Sequence, residues 1–249
     1  MKVGIMQPYF FPYIGYFQLI DSVDLFVLHD DVQFIKSGWI HRNRYLREGQ
    51  PAWFGLSLGK SSSAALINEK KIVSDFDYLA LFRKLHESYK AAQNYQKIIE
   101  DVRQAIEIGS DSLVDVNQSG LRLCCNYFDI KTPIINSSSL KLPENLKGEA
   151  RVIEIVKRCQ GDIYINPIGG LDLYHDEEFE KNNIELLFHS VAAYSYTQPV
   201  PEFVPHLSII DVIMRATQEE QDALLQCKQV QRKYFYKEIN SNHINNVQK

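Results

Sequence analysis

The chain has 249 residues, a formal net charge of −4 and a hydrophobic fraction of 45%, enough apolar residues for one large domain with a substantial core. No apolar run reaches the ~18–20 residues of a membrane-spanning helix, and no basic segment followed by an apolar stretch suggests a secretory signal, so we expect a cytoplasmic protein. The mild acidity argues against a dedicated nucleic-acid binder, whose affinity comes from a basic face, but is compatible with a local basic pocket.

The first elements alternate between strand and helix. Lys2–Met6 and Val23–Leu28 are apolar without alternation, which predicts two buried parallel strands. Tyr13–Asp21 is the predicted helix between them, and the preceding Pro12 suits a helix start because its missing N–H is not needed there. Ala52–Leu58 is a candidate third strand.

The middle of the chain is predicted to be helical. Tyr78–Gln93, Tyr95–Ile108 and Ser112–Phe128 carry apolar residues at steps of three and four. We interpret residues 76–128 as a helical insert that follows the early strands.

Alternation then resumes, with strands at Thr132–Asn136, Asp162–Asn166 and Ile184–His189, and helices at Gly148–Cys159 and Ser208–Ala216. This pattern predicts an α/β fold in which a mostly parallel sheet is flanked by helices, Rossmann-like or nucleotidyltransferase-like. We expect a single domain over residues 1–239 and a frayed polar tail over residues 240–249.

The four cysteines, Cys124, Cys125, Cys159 and Cys227, lack the spacing of zinc ligands. We expect reduced thiols and no metal site.

The segment after the first strand is the first candidate binding region. In open α/β folds, ligands bind beyond the carboxyl ends of the strands, which makes Gln7, Tyr9, Tyr13 and Tyr16 candidate ligand contacts. Tyr13-x-Gly15-Tyr16 resembles the HxGH segment of nucleotidyltransferase folds, whose histidines hold nucleotide phosphates. Tyrosine donates a hydrogen bond but carries no positive charge, so this resemblance supports the fold more than the activity. An aromatic helix packed on the sheet is the alternative.

Asp30 and Asp31 follow the second strand. A carboxylate there can orient a substrate amine or act as general base, and Asp30 is the favoured candidate. Adjacent strand residues point to opposite faces, so the two carboxylates are not expected to enter one site. Turn formation is the alternative role.

A basic and aromatic segment follows. His41 suits proton transfer near neutral pH, and arginine forks bind phosphate or carboxylate. Strand alternation would place His41 and Asn43 on one face and Arg42 and Arg44 on the other. Together with Lys36 and Trp39, these residues complete the second candidate region.

Two later segments add weaker candidates. Gly169 and Gly170 follow a predicted strand and permit close approach of a ligand to the backbone, although an ordinary turn explains them equally well. Tyr174 and Gln198 are further candidate contacts, and Ser208 is a helix cap or a donor to the site.

Four segments in order resemble the WbqC-like family of bacterial proteins, from Met1 to about Arg215: MQPYFFPYIGYFQLI, DDVQFIKSGWIHRNR, YINPIGGLDLY and YTQPVPEFVPHLSIIDVI. Members are associated with surface-polysaccharide gene clusters, and a glycine transferase role has been suggested for them. The resemblance implies a transferase of O-antigen or lipopolysaccharide biosynthesis that attaches a glycyl or related acyl group to the amine of a nucleotide-linked amino sugar.

Under this hypothesis, Arg42 or Arg44 binds a diphosphate together with Lys36, and Asp30 or His41 accepts a proton from the attacking amine. The co-substrate is an activated acyl donor, free or on a carrier, and the sequence leaves open whether it is a thioester, an adenylate or an aminoacyl-tRNA. No serine or cysteine nucleophile elbow is present, which favours direct transfer. The alternatives are a nucleotidyltransferase-like, ATP-dependent enzyme and a non-catalytic protein that binds carbohydrate or a partner.

Overall fold

A computed structural model describes residues 1–233, so the expected frayed tail lies outside the described residues. The strands are β1 (Lys2–Met6), β2 (Leu25–Leu28), β3 (Arg42–Arg47), β4 (Gln50–Gly55), β5 (Ile134–Asn136), β6 (Ile163–Pro167), β7 (Glu185–Val191) and β8 (Lys228–Gln231). The α-helices are α1 (Ile14–Asp21), α2 (Tyr78–Tyr89), α3 (Tyr95–Ile106), α4 (Leu113–Tyr127), α5 (Gly148–Arg158), α6 (Asp176–Glu180), α7 (Ile209–Arg215) and α8 (Gln218–Gln226).

The main sheet has six strands in the order β5-β2-β1-β6-β7-β8. The first five are parallel, and β8 pairs antiparallel with β7. The predicted α/β fold with a mostly parallel sheet is therefore confirmed. The chain passes from β1 through α1 to β2 on one side, whereas β6 lies on the other side of β1. This reversal of strand order is the type of position at which open α/β sheets bind ligands.

Helices cover both faces of the sheet. Val3 and Ile5 of β1 share one apolar cluster with Val156 of α5 and Phe179 of α6. The larger cluster on the opposite face includes Phe26 of β2 and draws on α1, α4, α7 and α8. Two buried faces explain why the strands are apolar without alternation.

The predicted helical insert forms α2, α3 and α4, and its apolar side chains belong to the same core cluster as α1. Phe128, just after α4, packs on Phe17 of α1 with ring centroids 5.9 Å apart. Among the described residues, no helix has the length and apolar character to cross a membrane.

The strand predicted over Ala52–Leu58 overlaps β4, which lies outside the main sheet and forms a separate hairpin with β3. Glu48 and Gly49 make the tight turn, with φ of 50° and 79°, the geometry that two-residue hairpins require. The prediction missed α8 and β8 because both are rich in polar residues. A capping box of Thr217 and Glu220 marks the start of α8 and was the available signal.

Candidate functional site

A cavity of about 610 Å³ lies at the carboxyl ends of β6 and β7, beside the loop that follows β1. It therefore occupies the point at which the strand order reverses. Its lining consists of Tyr9, Pro12, Tyr13, Trp39, Asn43, Arg44, Pro167, Ile168, Gly169, His189, Ser190, Val191 and His206.

Buried polar side chains hold the loop that follows β1. Asn43 Nδ2 donates to the Phe11 carbonyl at 2.8 Å, and Ser208 Oγ donates to the same carbonyl at 2.8 Å. Asn117 Nδ2 donates to the Pro8 carbonyl, also at 2.8 Å. These bonds stabilise a loop in which Phe11 adopts a φ of 42°, a conformation that is costly for a non-glycine residue. The loop thereby presents its tyrosines to the cavity in a fixed arrangement.

The tyrosines of the HxGH-like segment have different roles. A Cβ at Gly15 would lie 2.5 Å from the Tyr13 ring, so the glycine makes room for this ring. Burial raises the pKa values of Tyr9 and Tyr13, whose rings line the cavity, and keeps their hydroxyls protonated. Tyr16 instead lies in the core, where its hydroxyl donates to the Gln7 carbonyl at 2.8 Å. The structure therefore does not place Tyr16 or Gln7 in the cavity lining.

Arg44 is the cationic residue of the cavity wall. Its guanidinium lies 5.4 Å from the centre of the Trp39 ring, and its Nη2 donates to the His206 carbonyl at 3.3 Å. Its Nε is buried and has no hydrogen-bond partner in the part of the chain that the structure describes. No carboxylate from residues 1–233 forms an ion pair with Arg44, and the cavity lining contains no Asp or Glu. The wall therefore presents uncompensated positive charge, which suits an anionic ligand.

Two histidines line the same cavity. His189, near the end of β7, is 2% exposed, and its Nε2 is buried without a hydrogen-bond partner among residues 1–233. Burial, assisted by the Lys228 ammonium, lowers the pKa of His189 to about 4, so its ring is neutral near pH 7. The His206 ring contacts the Tyr13 ring edge-on, with centroids 5.7 Å apart, and its backbone has a φ of 57°. The cavity thus combines imidazole nitrogens with a guanidinium.

The two glycines after β6 differ. A Cβ at Gly170 would lie 2.2 Å from Asn166 Nδ2, so this glycine serves local packing. A Cβ at Gly169 would meet no heavy atom of the described residues within 4 Å. Of the two, only Gly169 lines the cavity, where it permits a ligand to approach the backbone.

Asp30 and Asp31 lie in a separate polar cluster beyond β2 and β5. Asp30 accepts hydrogen bonds from the Ser138 backbone N–H at 2.9 Å, Ser138 Oγ at 2.7 Å and Ser137 Oγ at 3.1 Å. Asp31 shares the single Ser137 hydroxyl proton with Asp30 and pairs with Arg151 Nη2 at 2.5 Å. The prediction that the two carboxylates diverge is wrong, because β2 ends at Leu28 and strand alternation no longer applies.

The surroundings of Asp31 and His29 lower the pKa values of both side chains. Burial opposes charge on Asp31, but hydrogen bonds from Ser137 and Arg151 outweigh it and lower the pKa of the carboxyl. Burial lowers the pKa of His29 to about 4, and its Nε2 lies 3.2 Å from Arg151 Nε, which donates to it.

The structure separates His41, Arg42 and Lys36 from the cavity lining. The His41 ring lies 5.6 Å from the Phe34 ring, and burial together with Arg42 and Lys70 lowers its pKa. The Arg42 guanidinium lies 4.4 Å from the centre of the Trp53 ring. Lys36 lies in an exposed turn.

Tyr174 and Gln198 have packing roles. Tyr174 contacts the Tyr164 ring at a centroid distance of 5.7 Å, within the apolar cluster under α5 and α6. Gln198 Nε2 donates to the Val204 carbonyl at 3.0 Å, and its Oε1 accepts from the Val204 N–H at 2.9 Å. Neither lines the cavity.

The structure thus brings together six of the sequence-predicted residues: Tyr9, Tyr13, Trp39, Asn43, Arg44 and Gly169. Sequence reasoning missed His189 and His206. The carboxyl-end rule could have found His189, because it ends a predicted strand, whereas His206 comes from a loop distant in sequence.

Comparisons with known proteins place the chain among relatives. An uncharacterized protein of Mycobacterium tuberculosis, Rv1507c, is 26% identical to it over 231 residues, which are 92% of this chain and 99% of the relative. No solved structure matches significantly. The sequence model of the WbqC-like protein family matches residues 7–223, nearly the whole described chain. The protein therefore belongs to the WbqC-like family.

Proposed function

We propose that the protein is a transferase that attaches a glycyl or related acyl group to the amine of a nucleotide-linked amino sugar in surface-glycan biosynthesis. The observation that carries the proposal is the cavity at the β1/β6 reversal. Its wall combines aromatic rings, two imidazoles and a guanidinium that has no carboxylate partner within residues 1–233. Membership of the WbqC-like family supports the class of substrate.

The cavity wall fits the parts of such a substrate. Arg44 lines the cavity and has no carboxylate partner among the described residues, so its guanidinium would bind a diphosphate. Trp39 and the two tyrosines offer ring faces to a sugar or a base. His189, neutral because of its burial, would exchange a hydrogen bond with an uncharged polar group of the ligand.

The reaction needs one base and no covalent enzyme intermediate. The sugar amine attacks the carbonyl of the activated donor and forms the amide C–N bond. The bond from the carbonyl to its leaving heteroatom breaks, and the leaving group departs with the electron pair. We assign the proton acceptor to His206 because it lines the cavity, whereas Asp30 and His41 do not. The imidazolium then returns the proton to the leaving group.

Incubation of the purified protein with a nucleotide-linked 4-amino sugar and activated glycine donors tests the proposal. Mass spectrometry should detect a sugar nucleotide that is heavier by one glycyl group. The N-acetylated form of the same sugar nucleotide is the matched control and should gain no mass, because its amine is blocked. No mass gain with a thioester, an adenylate and an aminoacyl-RNA donor in turn would contradict the proposal.

The same preparation distinguishes the alternatives. Release of pyrophosphate from magnesium-ATP, dependent on the sugar, would favour nucleotidyl transfer. Tight binding of the sugar nucleotide without turnover of any donor would indicate a binding protein.

A further inference from the structure

The two tryptophans of the chain are exposed and stack on each other at the rim of the cavity. Trp39 is 37% exposed and Trp53 is 46% exposed, and their ring centroids are 5.3 Å apart. The Arg42 guanidinium lies over Trp53 at 4.4 Å, and the Arg44 guanidinium lies over Trp39 at 5.4 Å. We call these four side chains the Arg–Trp stack.

Both arginines of the stack donate to backbone carbonyls, but their charge is not compensated. Arg42 Nη2 donates to the Ser37 carbonyl at 3.2 Å, and Arg44 Nη2 donates to the His206 carbonyl at 3.3 Å. No carboxylate in the described part of the chain forms an ion pair with either arginine, and both Nε atoms are buried without partners. A guanidinium stacked on a ring can still present in-plane N–H groups to anions. In Arg42 and Arg44 the Nε is buried and Nη2 donates to a carbonyl, which leaves Nη1 for an anion.

The positions of the two arginines suit an extended polyanion. Arg42 and Arg44 lie two residues apart on β3 and therefore on one face, about 7 Å apart along the strand. They contact different rings of the tryptophan pair, so Arg42 can bind a phosphate other than the one that Arg44 binds. Arg44 lines the cavity and Arg42 does not, so the stack extends from inside the cavity to outside it.

We infer that the Arg–Trp stack binds the unpaired 3′ end of an RNA that carries the acyl group as an ester. This inference rests on the proposed function and names its donor. Proteins bind single strands through aromatic rings that stack with bases and cations that contact the backbone. An adenylate offers one base and one phosphate, and therefore would not use the outer half of the stack.

The transfer from such a donor balances without a further reactant. The sugar amine attacks the ester carbonyl, the C–N bond forms, and the C–O bond to the terminal ribose breaks. The ribose oxygen takes up the proton that the amine loses, so the RNA leaves with a free hydroxyl group.

Intrinsic fluorescence reports this site directly because the chain contains only these two tryptophans. We expect an RNA hexamer ending in CCA to quench it, with a slope of log affinity against log salt of about −1.4 for two phosphate contacts. Trp53→Ala and Arg42→Gln should each weaken RNA binding about tenfold. Arg47→Gln is the matched control, since it removes the same charge from the opposite face of β3, and should leave the affinity for RNA unchanged.

Calorimetry with the sugar nucleotide separates the two proposals. A sugar nucleotide that binds while the hexamer does not would overturn the RNA inference and leave the proposed function standing. If neither the sugar nucleotide nor the hexamer binds, both the proposed function and the RNA inference are contradicted. The RNA inference would also be overturned if Trp53→Ala and Arg42→Gln left the affinity for the hexamer unchanged. The same holds if anionic lipid vesicles or a glycyl thioester quench the tryptophan fluorescence and the RNA does not.

Discussion

The two halves of the sheet's carboxyl edge are both polar, but they differ in how their polar groups are satisfied. Beyond β2 and β5, the Asp30 and Asp31 carboxylates are surrounded by donors from Ser137, Ser138 and Arg151. Beyond β6 and β7, His189 and Arg44 line the cavity, and each has a nitrogen without a hydrogen-bond partner among the described residues. Because buried polar groups normally find hydrogen bonds within the protein, the first half supports the fold and the second half is suited to a ligand.

In the half beyond β2 and β5, we expect the largest loss of stability from substitution of Arg151. Its guanidinium contacts Asp31 and His29 with only 10% of its side chain exposed. Arg151→Met leaves a largely buried carboxylate unpaired, so we expect the free energy of unfolding to fall by about 3 kcal/mol. Chemical denaturation measures this loss.

Lys157→Met is the matched control on the same helix, α5. Lys157 is exposed, and among the described residues its side chain donates only to Asn182, at 3.4 Å. We therefore expect a loss below about 0.5 kcal/mol. Equal losses in the two variants would contradict the distinction between the halves.

Arg44→Gln tests whether the half beyond β6 and β7 binds the ligand. Charged hydrogen bonds to a phosphate contribute about 1.5–3 kcal/mol, so the affinity for the sugar nucleotide should fall about 100-fold in calorimetry. Stability should change little because Arg44 has no carboxylate partner in residues 1–233. A loss of stability as large as that of Arg151→Met would assign Arg44 a structural role instead.

The sequence predicted the location of the site better than its residues. The apolar strands and their alternation with helices indicated a parallel sheet, and the carboxyl-end rule then pointed to Tyr9, Tyr13 and Arg44. The rule could not distinguish these residues from Asp30, because the serines that satisfy Asp30 lie more than a hundred positions away in the chain. His206 reaches the cavity through a similarly distant loop.

The dependence of stability on pH compares one histidine from each half. Burial lowers the folded-state pKa of both His29 and His189 to about 4, from 6.5. As the pH falls, the histidines are protonated in the unfolded chain before they are protonated in the folded chain. The contribution of the two neutral imidazoles to the free energy of unfolding is therefore fully present above about pH 6.5 and is lost as the pH falls towards 4. Each histidine contributes at most about 1.4 kcal/mol per pH unit to this slope.

Chemical denaturation between pH 7 and 5 measures how steeply the free energy of unfolding changes with pH. His189→Leu should reduce this slope by the contribution of one histidine. An unchanged slope would show that His189 is not buried as a neutral ring.

His189→Leu also gives the smallest and most discriminating effect at neutral pH. The variant removes an imidazole whose Nε2 has no hydrogen-bond partner within residues 1–233, so the unfolding free energy should stay constant or rise by about 1 kcal/mol. The affinity for the sugar nucleotide should nevertheless fall about fivefold, because the ligand loses one neutral hydrogen bond.

His29→Leu is the matched control, since His29 Nε2 accepts from Arg151. It should lower stability and leave the affinity for the ligand unchanged. If both variants lower stability and neither affects binding, His189 supports the fold just as His29 does, and the cavity loses its neutral hydrogen-bonding residue. If His29→Leu lowers only stability and His189→Leu lowers only ligand affinity, the two histidines at this edge of the sheet have different roles. The difference then depends on whether the protein itself supplies a hydrogen-bond partner for the imidazole.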